Sequence, residues 1–86
     1  MAYHKRIKEP DPYDMNIHPL VRMLVAEMNR RKFSRKKLIE RTDITASMFN
    51  RWRTGTATPD LFQFEEWCKA MDCELVARRI YDGNSI

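Results

Sequence analysis

The sequence contains few of the residues that build catalytic and metal centres. Its 86 residues include only two glycines, two histidines and two cysteines. Two glycines do not provide a glycine-rich phosphate loop, and no nucleophile occurs in a recognisable pattern with a base. Cys68 and Cys73 have no histidine near them in sequence, so we interpret them as reduced thiols rather than as zinc ligands or a disulfide. We therefore expect no enzymatic activity, no metal and no cofactor.

Long hydrophobic runs are also missing. No stretch of about 18 apolar residues occurs, and the N-terminus has no apolar signal-peptide segment. The pattern predicts a cytoplasmic chain that does not contact a membrane. A chain of 86 residues provides one small domain, whose core is too small to enclose a large catalytic cleft.

Charges of both signs are present, but they are unevenly distributed. The chain has 16 basic and 12 acidic residues, for a net charge of +4. Residues 19–58 contain ten basic and three acidic residues, a net charge of +7, and the remainder has a net charge of −3. The acidic excess lies in residues 59–72, whereas residues 1–18 are neutral overall. The chain is therefore polarised, and such a basic stretch is typical of a protein that binds a polyanion.

The pattern of apolar residues divides the chain into an arm, a domain and a tail. Residues 1–17 contain prolines and show little apolar periodicity, so we interpret them as a flexible N-terminal arm. Residues 18–72 have apolar residues at helical spacing and predict a small domain of four helices. Residues 73–86 form a C-terminal tail. Within it, residues 73–81 are rich in β-branched and aromatic residues but alternate ambiguously, which leaves open a short C-terminal β-strand for dimerisation.

The predicted helices begin at residues that are suited to the N-terminal end of a helix. In chain order these residues are Pro19, Ser34, Thr45, and Thr58 as an N-cap followed by Pro59. We expect helix one to end near Arg31 and helix two to end around Thr42. Helix three is expected from Ala46 to about Arg53, and Gly55 closes it.

Two short capped helices joined by a tight turn form the layout of a DNA-binding helix-turn-helix. The positions that fit this layout are Phe33, Leu38, Ile44, Thr45, Phe49, Trp52, Gly55, Pro59, Leu61, Phe64 and Met71. With these residues the chain resembles the lambda-repressor-like (Cro/Xre) helix-turn-helix family over roughly residues 18–75. It departs from the family pattern at Ile39, where a small alanine is usual, and at Asp43, where the turn has a glycine. The resemblance implies a mainly α, four-helix fold and double-stranded DNA as the partner.

The resemblance also implies that helix three contacts the bases. The residues at the matching positions are Ala46, Ser47, Asn50 and Arg51. Helical spacing turns them away from Phe49 and Trp52, which are expected to face the core. Asparagine can make two hydrogen bonds to adenine, and arginine can make two to guanine.

A second group of residues is expected to contact DNA phosphates. These residues are Arg35, Lys36, Thr45, Arg53, Thr54 and Thr56. Cations in the first turn of a helix oppose its dipole by about 0.3–1 kcal/mol each, so stability alone does not explain Arg35 and Lys36. A phosphate at this helix end does explain them, whereas the alternative is an ordinary solvated charged face.

The sequence favours sequence-specific binding of double-stranded DNA by a small bacterial or phage transcriptional regulator of the repressor type. We expect a homodimer on a near-palindrome, with helix four and the tail as the dimer elements. The alternative is a protein-interaction module of the same fold, such as an antitoxin or a phage adaptor, whose arm or tail binds a protein partner. The arm and an exposed Phe62 would favour this alternative if they formed the tightest binding surface. RNA binding is disfavoured because signatures of RNA-binding modules are missing.

Overall fold

A computed structural model describes residues 5–80 and contains four helices within them. Helix α1 spans Pro19–Arg30, α2 spans Arg35–Arg41, α3 spans Ala46–Thr54 and α4 spans Leu61–Ala70. This order confirms the mainly α, four-helix architecture. The optional C-terminal strand is not observed in residues 73–80, and Tyr81, where it was expected to end, lies outside the described residues. A strand needs a neighbouring strand to pair with, and residues 5–80 provide none.

The first three helices begin and end close to the positions that the sequence predicted. The Ser34 hydroxyl accepts a hydrogen bond from the N–H three residues later at 3.0 Å, and the Thr45 hydroxyl does the same at 3.1 Å. His18 caps α1 through Nδ1, which accepts the N–H two residues later at 3.0 Å. Gly55 closes α3 in the left-handed conformation with a φ of 82°. Local capping chemistry therefore sets the bounds of the helix-turn-helix.

Helix α4 begins later than predicted. Thr58 is not the N-cap and Pro59 is not the first helical residue; these positions belong to Asp60 and Leu61. The Asp60 carboxylate accepts the Gln63 N–H at 2.8 Å, and the Gln63 side-chain carbonyl accepts the Asp60 N–H at 2.9 Å. This reciprocal capping box satisfies two backbone donors, whereas an N-cap threonine satisfies one.

A cluster of aromatic side chains forms the centre of the core. Trp67 of α4 is fully buried, stacks on Trp52 at a centroid distance of 5.9 Å, and meets the Phe49 ring edge-on at 5.4 Å. Phe64 packs edge-on against Trp67 at 5.9 Å. The buried residues of α1 in the same core are Val21, Leu24, Val25 and Met28. Because Phe49 and Trp52 pack in this cluster, the opposite face of α3 faces solvent.

The described part of the arm is irregular, yet it packs on the core. Ile7 and Ile17 are both buried. The Asn29 side chain on α1 accepts a hydrogen bond from the Ile7 N–H and donates one to the Ile7 carbonyl, both at 2.8 Å. Arg22 donates to the Ile17 carbonyl at 2.7 Å. The burial of Ile7 and Ile17 was not predicted from the sequence, because isolated isoleucines in an irregular segment show no periodicity.

The turn between α2 and α3 is held by side chains rather than by a glycine. The Thr42 hydroxyl donates to the carbonyl four residues earlier at 2.8 Å and accepts the N–H two residues later at 3.0 Å. The Asp43 N–H donates to a Glu66 carboxylate oxygen at 3.3 Å, which ties the turn to α4. Asp43 itself does not have a positive φ. It therefore replaces the expected glycine without strain in the backbone.

Candidate nucleic-acid interface

The outward face of α3 contains all four residues predicted to contact bases. Ala46, Ser47 and Arg51 are exposed, and Asn50 is half-buried. The two aromatic residues of the same helix are buried on the opposite side. An α-helix fits the major groove of DNA, where each base pair presents a distinct set of donors and acceptors. The geometry therefore gives α3 one solvent-facing surface with side chains suited to reading bases.

Arg51 has a side chain that is available for a ligand. Within residues 5–80, its guanidinium group takes part in no hydrogen bond and no ion pair. Its backbone carbonyl accepts bonds from the Thr54 hydroxyl at the end of α3 and from N–H groups of the turn that follows. A free guanidinium presents parallel N–H donors that match the two acceptors of guanine. Arg51 can therefore bind a base without first breaking a side-chain hydrogen bond or ion pair within residues 5–80.

Asn50 is held from the side by a residue of α2. Arg35 Nη1 donates a hydrogen bond to Asn50 Oδ1 at 2.9 Å. An amide oxygen can accept two hydrogen bonds, so Oδ1 retains one free acceptor position, and the amide group retains its own donors. Asn50 can therefore still make the pair of bonds that recognises adenine while Arg35 fixes its orientation. The contact joins a predicted base-binding residue to a predicted phosphate-binding residue.

The three threonines predicted to contact phosphates are all exposed, but their hydroxyl groups differ in what they can still donate. The Thr45 hydroxyl accepts the N-cap bond, so its own proton remains available for a phosphate oxygen. The Thr54 hydroxyl donates to the Asn50 carbonyl at 2.8 Å and so already uses its proton. The hydroxyl oxygens of Thr54 and Thr56 lie 3.4 Å apart, and because the Thr54 proton is used, the Thr56 hydroxyl is the donor of this contact. Thr45 is therefore the threonine best prepared to bind a phosphate.

The predicted phosphate-binding cations line one groove, which we call the basic groove. It has a volume of about 370 Å³ and lies between the arm, the start of α2 and the end of α3. Its cationic lining residues are Lys5, Arg6, Lys8, Arg35, Lys36 and Arg53. Arg53 Nη1 lies 3.5 Å from the Lys8 carbonyl oxygen, so the arm and the end of α3 are in contact. The three arm cations were missed, because acidic residues nearby in sequence balance them; the KRIK run of residues 5–8 was the available signal.

Several other cations of the basic stretch have structural partners. Arg30 and Arg31 both bind the Glu27 carboxylate, and Arg31 also donates to the Met71 carbonyl, which joins the ends of α1 and α4. Hydrogen bonds from Arg30 and then from Arg31 lower the pKa of Glu27 from 4.5 to about 2. Arg41 donates to a carbonyl at the end of α4 at 3.4 Å. These three of the ten basic side chains in residues 19–58 are therefore engaged in structural contacts and are less free to contact DNA.

Cys68 and Cys73 are both free thiols, and burial raises the pKa of the Cys68 thiol. None of the helices in the described part of the chain is long and apolar enough to cross a membrane.

The two capped helices, their tight turn and the exposed face of α3 define a DNA-binding helix-turn-helix domain. A family model described as the Cro/C1-type HTH DNA-binding domain matches residues 23–76, which is more than half of the chain. The chain belongs to this Cro/C1-type family, as the residues of its helix-turn-helix predicted. DNA is accordingly its ligand. No curated protein and no solved structure matches the chain.

Proposed function

We propose that the protein is a sequence-specific regulator of transcription, of the bacterial or phage repressor type, that binds double-stranded DNA. The observation that carries this proposal is the outward face of α3, where Arg51 is unpaired within residues 5–80 and Asn50 is oriented by Arg35. Membership of the Cro/C1-type family supports DNA as the ligand. Side chains that are free and already oriented support recognition of a particular base sequence.

Base recognition comes from α3 lying in the major groove. Arg51 donates two hydrogen bonds to a guanine, and Asn50 makes two with an adenine. Each such pair contributes about 1–3 kcal/mol of discrimination against the wrong base. Ala46 and Ser47 have small side chains, so the first turn of α3 can approach the base edges closely.

Phosphate contacts set the depth and orientation of α3 in the groove. Arg35, Lys36 and Arg53 neutralise backbone phosphates, and Thr45 donates its hydroxyl proton to a phosphate oxygen. Thr54 and Thr56 also bind phosphate. Their hydroxyl groups leave the Asn50 carbonyl and each other, and donate to phosphate oxygens instead. Each neutralised phosphate makes the logarithm of the binding constant fall by about 0.9 per tenfold rise in salt concentration.

A homodimer gives the two reading helices that a near-palindromic site requires. An apolar groove of about 130 Å³ lies between the start of α1, the start of α4 and the tail, and Leu20, Phe64 and Leu75 line it together with Leu61. Leu61 is 78% exposed and Phe62 is 86% exposed. These side chains support a second copy as the occupant of this surface, because a two-fold axis buries the same apolar patch of both copies. The half-sites then lie about 34 Å apart.

A protein partner is the second candidate function, in the manner of an antitoxin or a phage adaptor of the same fold. The exposure of Phe62 supports it, because a large exposed aromatic side chain beside other apolar residues is typical of an interaction surface. This alternative predicts that the folded protein enriches no DNA motif. Sequence-specific regulation predicts the opposite result.

Selection of bound duplexes from a random-sequence pool distinguishes the two candidates. The wild-type protein is expected to enrich a near-palindromic motif, and Arg51→Ala is expected to relax one base position in each half-site. Arg35→Ala is expected to weaken binding to all sequences, to lower the salt slope by about one for each bound protomer, and to relax the adenine position because Asn50 loses its support.

The matched control for these variants is Lys69→Ala. It removes an exposed cation of α4 whose Nζ lies 3.6 Å from Glu65 Oε1. It is expected to change neither the motif nor the salt slope. A motif that is equally sharp for Arg51→Ala and the wild type would show that α3 is not the reading helix.

A further inference from the structure

The arm contributes half of the cations in the basic groove. Lys5, Arg6 and Lys8 face Arg35, Lys36 and Arg53 across a space of about 370 Å³, and no acidic residue lines it. These cations come from three separate segments of the chain. The groove is therefore formed by tertiary packing rather than by a single run of basic residues.

The arm is held in place by bonds that do not involve its charges. Asn29 binds both the N–H and the carbonyl of Ile7 at 2.8 Å, and the Ile7 side chain is buried. Lys5, Arg6 and Lys8 remain exposed on either side of this anchor. The arm backbone is thus fixed against α1, and the side chains of Lys5 and Lys8 stay available to a ligand.

Clustering of cations raises the free energy of the folded protein unless an anion balances them. Arg6 is paired with Glu9 on the exposed surface. Lys5, Lys8 and Lys36 form no ion pair within the described residues 5–80. The groove therefore has positive charge that the protein itself does not neutralise, in a cavity that is large enough for a phosphate group.

The position of the groove identifies the source of the anion. Arg35 lines the groove and also binds Asn50 on the outward face of α3, so the groove lies directly beside the base-reading surface. Arg53 at the other end of α3 lines it as well. A DNA strand whose bases are read by α3 has its backbone next to this face.

We infer that the basic groove binds a backbone phosphodiester of the DNA whose bases α3 reads, with Lys5 and Lys8 as additional phosphate contacts and Asn29 as the residue that positions them. This inference rests on the proposed function and extends the phosphate contacts from the helix-turn-helix to the arm.

The test compares single and double variants on the fluorescein-labelled duplex that the wild-type protein selects. Lys8→Gln is expected to lower the salt slope by about 0.9 for each bound protomer, and the affinity about eightfold for each protomer near 0.1 M salt, because one phosphate contact is lost in each half-site. Lys5→Gln/Lys8→Gln is expected to lower the slope by about twice as much. Lys69→Gln is the matched control, since it removes the same charge from the exposed surface of α4, and it is expected to leave both quantities within about twofold of wild type.

Asn29→Ala tests the positioning role without any change of net charge. The arm loses both of its bonds to the Asn29 side chain, so the salt slope is expected to fall although every cation is still present. Circular dichroism verifies that this variant is folded. Ethylation interference provides an independent readout. The phosphates that Lys5 and Lys8 contact are expected to lose their interference in Lys5→Gln/Lys8→Gln, whereas those contacted by Arg35, Lys36 and Arg53 are expected to keep it.

The outcomes separate this inference from the proposed function. If the wild type selects a motif but Lys5→Gln/Lys8→Gln behaves like Lys69→Gln, the arm does not bind phosphate, and the proposed function still holds. If the wild type binds no duplex, both the proposed function and the inference are overturned.

Discussion

Replacement of Gly55 by alanine is expected to disturb the junction between α3 and the arm. Gly55 has a φ of 82°, and an L-residue in this left-handed conformation costs about 1–2 kcal/mol. A Cβ atom at this position would lie 2.9 Å from Asp14 Oδ2 and 3.1 Å from Ile17 Cγ1. The Asp14 carboxylate is only half-buried and can swing aside, whereas Ile17 is buried and must shift within the core.

The size of the effect follows from these separate contributions. The left-handed backbone costs about 1–2 kcal/mol, and the reduced freedom of the unfolded chain returns about 0.4–1 kcal/mol. Crowding of a buried side chain such as Ile17 adds about 1–3 kcal/mol. The free energy of unfolding is therefore expected to fall by about 1–4.5 kcal/mol, and a loss near the middle of this range lowers the melting temperature by roughly 10 °C or more in a domain of this size.

Thermal unfolding followed by circular dichroism measures this effect, with Gly55→Asn as the control. Asparagine tolerates the left-handed conformation better than alanine but has the same Cβ. Its melting temperature is expected to lie between those of the wild type and Gly55→Ala. An unchanged melting temperature for Gly55→Ala would refute the tight packing of the arm against the end of α3.

Substitutions in α1 and at the start of α4 test the capping box, the ion pairs of Glu27 and the homodimer. Asp60→Ala removes the capping box of α4 and is expected to lower the free energy of unfolding, measured with urea, by about 1 kcal/mol. Thr58→Ala is expected to have almost no effect. A larger loss for Thr58→Ala than for Asp60→Ala would show that the helix begins at Thr58. Glu27 has a folded pKa of about 2 against an ordinary 4.5, so its contribution to stability is present above pH 4.5 and is lost as the pH falls towards 2. Glu27→Gln is therefore expected to lower the melting temperature near neutral pH but to leave it unchanged at the acidic end, and equal losses at both would contradict the lowered pKa. Leu61→Ser is expected to shift the protein from dimer to monomer in sedimentation velocity, and a wild type that is already monomeric would contradict the homodimer.

Local chemistry made the helix-turn-helix predictable from sequence. Ser34 and Thr45 are N-caps and Gly55 closes α3, because capping depends on a few neighbouring residues. The start of α4 was mispredicted because two capping signals overlap there. The Thr58–Pro59 pair is a common start of a helix, but the reciprocal bonds of Asp60 and Gln63 satisfy more backbone donors.

The part of the site that depends on contacts between distant residues was not predictable. The Ile7 backbone is hydrogen-bonded to Asn29, which is 22 residues away in sequence, and no periodic pattern predicts this contact. The bond between Arg35 and Asn50 spans 15 residues and couples two positions that the sequence treated separately. Counting charge by segment made the arm neutral, although packing brings Lys5 and Lys8 to the same groove as Arg35.

The ratio of affinities for the selected duplex and for a scrambled duplex of equal length tests the central claim most directly. Fluorescence anisotropy at about 0.15 M salt measures both dissociation constants under the same electrostatic screening. If α3 reads bases through Asn50 and Arg51, the selected duplex is expected to bind at least about a thousandfold more tightly. A ratio near one would contradict sequence-specific recognition, because phosphate contacts alone bind every duplex equally.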